Sequence, residues 1–258
     1  DFIGQYKAWH DEVIRMHREV PLTYHKDADC IMPQQVIEAV SALTDDDTIV
    51  VTDVGQHQMW TAQFYQFSKP RSFVTSGGLG TMGYGLPAAL GAKLAKPEKT
   101  VVLFSGDGSI MMNLQELATL SYNCLNIKLF IINNNGYHSI RQTQTNLFQP
   151  PFVGIDSECG LGFPDFQKIA DAFKIKYVLL NSEKICSEIV EGVLNYEGAC
   201  ICEVFVDETQ NFEPKSSSKV LPDGTIVSPS LDDMFPFLNR DEFEQITYRK
   251  EGIKGETN

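Results

Sequence analysis

Two short stretches of this 258-residue chain carry residues that could hold a charged ligand. Gly106-Asp107-Gly108 follows an apolar run, Val101 to Ser105, and Asn133-Asn134-Asn135-Gly136 follows a second, Ile127 to Ile132. A carboxylate, an amide oxygen and a backbone carbonyl are the donors that a hard cation such as Mg²⁺ takes, while glycines let backbone N–H groups approach a diphosphate. Taken alone, the first stretch equally reads as a turn in which Asp107 caps a helix, with the asparagines forming another turn.

Such donors act together only if the fold brings them to one place. The two apolar runs read as buried strands, joined by a helix over Leu114 to Tyr122 with Leu114, Leu117, Ala118 and Leu120 apolar around Gln115 and Glu116. Successive parallel strands deliver Asp107 and Asn134 to the same carboxyl edge, where open α/β sheets bind ligands. An earlier strand, Thr48 to Thr52, ends on Asp53-Val54-Gly55-Gln56-His57, a turn running into a helix. Ser72 to Thr75 is a short strand, followed by Gly77, Gly78, Gly80, Gly83 and Gly85 and a small-residue helix ending near Ala95 that Pro87 does not stop. That density of glycine fits either a tight packing seam or backbone touching a flat ligand.

Beyond the asparagines the pattern predicts a helix from Tyr137 to Thr145, with His138, Arg141 and Gln142 among its polar positions, and a loop over 146–164 that serves as a substrate-side cover. A helix from Pro164 to Phe173, a strand from Ile175 to Leu180, a helix from Glu183 to Tyr196 and a strand from Ala199 to Val206 follow. The alternation specifies an α/β fold, a doubly wound, largely parallel sheet with helices on both faces. Ahead of it stand a helix over 1–20, a loop with Lys26, Asp27 and Asp29, and a helix from Pro33 to about Leu43. From Asp207 onward turns dominate, with a hairpin signal at Pro222-Asp223-Gly224 and a final EGIKGETN expected to fray.

The net charge of −13 argues against nucleic-acid and anionic-membrane surfaces. With no run of 18 apolar residues and no signal-peptide pattern, the expected location is cytoplasmic. Cys30, Cys124, Cys159, Cys186, Cys200 and Cys202 lack a zinc or disulfide spacing and read as buried, reduced thiols, Cys200 and Cys202 sharing one strand face.

With both halves present and Asn134 standing 27 positions after Asp107, the GDG and NN motifs resemble the metal and diphosphate motif of thiamine diphosphate enzymes. DVGQHQMW (53–60) and TSGGLGTMGYGLPAALGAKLAKPE (75–98) closely resemble the C-terminal, diphosphate-binding domain of acetolactate (acetohydroxyacid) synthase large subunits, a likeness spanning roughly residues 30 to 206. The resemblance implies Asp107, Asn134 and the Gly136 carbonyl as Mg²⁺ ligands. It implies Gln56 and His57, with backbone near Gly108, Ser109 and Tyr137, as diphosphate contacts, and places Gly55, Gly106 and His138 in the same cofactor-binding set. Gly80 would meet the aminopyrimidine, and Met82 would be the apolar wedge that keeps the cofactor bent. Thr143 stands where those synthases carry a tryptophan of the acceptor pocket, and the tail is more similar to thiamine diphosphate proteins encoded with surface-polysaccharide functions.

The implied activity decarboxylates pyruvate and joins the two-carbon unit to a second keto compound; a ketosugar acceptor, or decarboxylase or oxidase chemistry, is the alternative. A non-catalytic nucleotide-binding module is the rival of another class, although GGLGTMGYG is too loose for a Rossmann fingerprint. By the same resemblance 1–29 is a helix and linker from a preceding domain, 30–206 the diphosphate-binding domain and 207–258 a tail. The activating glutamate is expected in a pyrimidine-binding domain, so no catalytic residue is assigned to this chain. A flavin-associated domain would admit FAD in a full-length homodimer or homotetramer, and this chain alone is expected not to be a complete catalyst.

Overall fold

The computed structural model describes residues 2–19, 21–24, 30–67, 72–148, 150–182 and 186–246. The expected loop at Lys26, Asp27 and Asp29, the helix start at Glu183 and the terminal EGIKGETN lie outside the described residues. Two compact units divide the chain, Asp1–Gln210 and Asn211–Asn258.

The first unit holds six parallel strands: β1 (Ile49–Thr52), β2 (Phe73–Val74), β3 (Val101–Gly106), β4 (Ile127–Asn133), β5 (Lys176–Leu180) and β6 (Cys200–Phe205). Their order is β2-β1-β3-β4-β6-β5. Every residue of β3 and β4 is buried, as near-continuous apolar runs demand when both faces are covered. Odd-numbered side chains such as Leu103, Leu129, Ile131 and Ile201 share a core with Leu86 and Leu90 of α4 (Gly85–Ala95), Leu117 and Leu120 of α5 (Glu116–Tyr122) and Phe166 of α7 (Phe166–Ala172). Burying one such side chain is worth about 2 kcal/mol. On the opposite face Phe104 and Phe130, partners in register, stack with centroids 5.6 Å apart. There α3 (Gln56–Phe64) packs on β1 and β3, and α2 (Pro33–Leu43) packs on α3 and on α8 (Cys186–Asn195). Helices α1 (Phe2–Glu19) and α6 (His138–Leu147) complete the unit. From β1 the chain steps to β2 on one side, and from β3 to β4 on the other. The carboxyl ends of β1 and β3 therefore form the point where strand order reverses, the crevice in which such sheets take ligands.

Several local expectations change. A 3₁₀ turn, Ile110–Asn113, precedes α5, which begins only at Glu116; Asn113 donates its amide to the Gly83 carbonyl at 2.8 Å, drawing this turn toward the glycine-rich stretch. The loop over 146–164 contains a 3₁₀ turn, Ser157–Cys159, capped by Asp156 accepting from the Glu158 N–H. α7 starts at Phe166, where the Asp165 carboxylate accepts from the Lys168 N–H. Lys128 interrupts the apolar run of β4 yet is buried, its ammonium donating to the Tyr196 and Gly198 carbonyls. Among the cysteines Cys186, Cys200 and Cys202 are buried, and burial raises the Cys200 thiol to about 11. Cys30 and Cys124 are exposed instead; Cys124 sits past the end of α5 with φ 52°, a helix-terminal position that faces water.

In the second unit β7 (Lys219–Val220) and β8 (Ile226–Val227) form the antiparallel hairpin around Gly224, which has φ 84°. A helix absent from the sequence reading, α9 (Arg240–Ile246), follows, and Asp233 accepts from Lys219 at 2.7 Å and from Arg240 at 2.9 Å. No helix among the described residues is long and apolar enough to cross a membrane.

Candidate cofactor site

At the end of β3 the chain turns through Asp107, which is 2% exposed. One carboxylate oxygen accepts from the Gly108 N–H at 2.8 Å and the other from the Gly136 N–H at 2.9 Å. Asp107 thus caps no helix; it ties the turn after β3 to the turn after β4. Burial pushes its carboxyl up to about 7, opposed by those two N–H groups and by Arg141.

The second turn is held from below and behind. Asn133 accepts from the Asn135 N–H at 2.9 Å and donates to Glu203 on β6 at 2.6 Å; Glu203 also accepts from the Tyr177 hydroxyl. Arg141 of α6 donates to the carbonyls of Asn134, Asn135 and Glu208 and pairs with Asp156 at 3.1 Å. In sequence Arg141 is only a polar helix position, and Glu203 and Tyr177 carry no signal. Their partners lie across the sheet, so no local spacing announced them.

The β1 side supplies the facing wall. Gly55, with φ 153°, precedes α3, and the His57 ring at the helix start lies near the Asp53 backbone carbonyl, whose dipole favours its protonated form. Burial drops the His57 pKa to about 3, so the imidazole is neutral, and its Nε2 has no partner. Gln56 donates to Gln142 at 3.0 Å while its Oε1 is unpaired, as is the buried Trp60 Nε1.

One pocket at this edge is lined by Gly55, Gln56, His57 and Met82 together with Gly106, Asp107, Gly108, Ser109, Asn134, Gly136, Tyr137 and His138. Trp60, Ser139 and Ile140 line it as well, although the sequence reading gave them no role. Gly80 and Thr143 are not in its lining. Gly80 is exposed with φ 62°, and Thr143 is exposed on α6, its hydroxyl donating to the Ser139 carbonyl at 2.9 Å.

Three observations test whether these residues suit a diphosphate and a hard cation. A methyl at Gly108 would lie 2.2 Å from the Tyr137 ring and one at Gly136 2.4 Å from the Ile155 carbonyl, so the pocket's walls are bare backbone by necessity. Three buried polar atoms of His57, Gln56 and Trp60 lack partners at one wall, a cost of about 1–3 kcal/mol each that a polar ligand would relieve. Among the described residues no three His, Cys, Asp or Glu side chains cluster for a metal. One carboxylate among neutral oxygens suits Mg²⁺, which keeps waters and ligand phosphate oxygens in its shell. The residues fit.

A parallel α/β sheet with a glycine-walled, carboxylate-bearing pocket at its switch point is the arrangement in which open α/β sheets take ligands. The chain belongs to the thiamine pyrophosphate enzyme family, the C-terminal TPP binding domain matching residues 53–204. It is 41% identical over 206 residues to the acetolactate synthase isozyme 1 large subunit of Escherichia coli, covering 80% of this chain and 36% of that protein. The Lactococcus lactis acetolactate synthase large subunit is 37% identical over 211 residues, 81% of this chain and 36% of the relative. Zea mays acetolactate synthase 2, chloroplastic, is 36% identical over 211 residues, 80% of this chain and 33% of the relative. The chain therefore spans about a third of the length of these relatives and is a TPP-binding domain related to the acetolactate synthases.

Proposed function

We propose that this chain binds the Mg²⁺-diphosphate half of thiamine diphosphate within a carboligase that decarboxylates pyruvate and joins the two-carbon unit to a second keto compound, giving 2-acetolactate when that compound is pyruvate. The observation that carries the reading is Asp107 bridging the turns after β3 and β4 inside a pocket whose other wall holds the unpaired His57 Nε2 and Gln56 Oε1. Asp107, Asn134 and the Gly136 carbonyl would hold the cation, and the N–H groups of Gly108 and Ser109 would meet phosphate oxygens. When bound, thiamine diphosphate supplies the carbon acid and electron sink that decarboxylation of a 2-keto acid needs. The chain's own residues bind, orient and exclude water: Met82 and Trp60 are the apolar side of the pocket.

Asp107 is the one carboxylate in the pocket lining, and it is committed to two N–H groups. No second carboxylate in that lining could move a proton at the pyrimidine, so residues 1–258 alone are expected to bind without turning over pyruvate. By the same relationship the working enzyme would assemble as a homodimer or homotetramer. Calorimetric titration of the chain with thiamine diphosphate, with and without Mg²⁺, tests the reading against NAD as competitor. Binding that requires Mg²⁺ and ignores NAD is the expected result. NAD binding without Mg²⁺ would point to a nucleotide module instead.

A further inference from the structure

Asp53 closes β1 and is wholly buried, yet it lies outside the pocket lining. Both oxygens of its carboxylate are engaged by backbone. One accepts from the N–H groups of Val54 at 2.7 Å and Gly83 at 2.8 Å, the other from the Gly85 N–H at 3.2 Å. Its own N–H is fixed to the Phe104 carbonyl at 2.9 Å. A buried charge is costly, and charge-assisted bonds to backbone N–H groups are among the strongest a protein makes, so this carboxylate anchors the segment it grips.

That segment carries Met82. Immediately after it, Gly83 is held through its N–H by Asp53 and through its carbonyl by Asn113 at 2.8 Å. Gly83 has φ 86°, and a methyl there would come within 2.6 Å of Met112, so no slack remains on this side. Before Met82 the Gly80 and Thr81 N–H groups bond only to Ser76, and the nearest tie to another element is seven residues back, at Thr75, which bonds Thr52 at 2.8 Å and Gln58 at 2.6 Å. The backbone next to Met82 is therefore fixed from the Gly83 side, by Asp53 and Asn113.

We propose that Asp53 is a positioning residue whose carboxylate fixes Met82 in the pocket wall, setting affinity for the organic half of the cofactor and not for its diphosphate. The proposal rests on the cofactor reading above. Asp53→Asn keeps the shape but turns an amide N–H toward the Gly85 N–H, loosening the segment, while the backbone carbonyl near His57 is unchanged.

The test titrates the 258-residue chain with Mg²⁺ plus inorganic pyrophosphate, and separately with Mg²⁺ plus thiamine diphosphate, following the fluorescence of Trp60, whose indole lines the pocket. Asp53→Asn should weaken thiamine diphosphate about tenfold and pyrophosphate less than about twofold. Added to Met82→Ala, it should cost thiamine diphosphate less than about twofold more, because both changes remove one contact. Equal losses for the two ligands, no loss, or additive losses with Met82→Ala overturn the proposal. A wild-type chain that binds neither ligand sinks the cofactor reading itself and this inference with it. If circular dichroism shows Asp53→Asn unfolded, Asn113→Ala cuts the other tether of Gly83 and must give the same selective loss, or the proposal falls.

Discussion

Gly106-Asp107-Gly108 and Gly77-Gly78-Leu79-Gly80 both follow strands of the same sheet, and in sequence both are glycine turns. Their surroundings are opposite. A methyl on Gly108 would strike the Tyr137 ring, whereas one on Gly78 would meet nothing within 4 Å, and Leu79 between its glycines is 93% exposed. The boundary falls inside the glycine-rich stretch, since Gly83 and Gly85 are packed against Met112 and Asp53. Glycine content alone therefore does not distinguish a closed wall from an open one. The wall at Gly108 is closed within this chain, and ahead of Met82 the stretch from Gly77 to Gly80 is open backbone.

Breaking the closed side should have the largest effect. Asp107→Ala removes the one charged donor, and Mg²⁺-dependent binding of thiamine diphosphate is expected to fall by more than about 100-fold, read by calorimetry. The carboxyl also has a pH signature. Its folded pKa, about 7, lies above the unfolded value of 3.8, so the Asp107 contribution to stability of the ligand-free chain falls as pH rises from about 4 through 7 and is level above that. Asp107→Asn should abolish that contribution, gaining about 2.5 kcal/mol on wild type between pH 5 and pH 8 in urea unfolding. Below pH 7 the wild-type Mg²⁺ affinity should fall up to tenfold per unit as the carboxyl takes a proton. Parallel pH–stability curves for the two proteins would remove Asp107 from this role.

The paired glycine substitutions sharpen the comparison directly. Gly108→Ala forces the Tyr137 ring to move and is expected to cost about 2–3 kcal/mol, whereas Gly78→Ala, in open space and without a positive φ, should stay within about 0.5 kcal/mol. Equal costs in chemical unfolding would mean that the two turns do not differ as described.

How much of this was legible beforehand follows the same division. Strand composition and the interval between Asp107 and Asn134 were enough to place the β3 and β4 edge, because buried parallel strands are continuous apolar runs and their ends converge by topology. Asp53, Arg141, Glu203 and Tyr177 were not legible as supports. Each acts through backbone or side-chain atoms distant in sequence, such as Tyr177 on Glu203 or Arg141 on Asp156. The 3₁₀ turn before α5 escaped for a similar reason, being held by a bond from Asn113 to Gly83. Gly80 and Thr143, assigned by resemblance to parts of the ligand beyond the diphosphate, lie on the open side.

His57 gives a smaller effect. Its folded pKa of about 3 lies below the unfolded value of 6.5, so the unfolded chain takes a proton first and folding loses stability as pH falls below 6.5. At pH 5.5 the loss should be about 1 kcal/mol relative to pH 8, and His57→Gln should lack it. An identical acid slope in wild type and variant would show that the imidazole is solvated.

The smallest effect on the chain itself is expected from Thr143→Trp. Thr143 is exposed on α6, and its hydroxyl bonds only to the Ser139 carbonyl one turn back, an interaction a helix does without. Stability should change by less than about 0.5 kcal/mol, and Mg²⁺-pyrophosphate affinity not at all, because the anchors at Asp107 and Gly108 lie in a different wall. In the working enzyme the same substitution should still alter the choice of second keto compound, because Ile140, one turn earlier on α6, lines the pocket. Competing pyruvate with 2-ketobutyrate in one vessel reads the product ratio, while CO₂ release measures the first step separately. A changed ratio with unchanged CO₂ release assigns Thr143 to acceptor selection. An unchanged ratio would leave this helix face out of the acceptor site and confine the chain's role to the closed, diphosphate side.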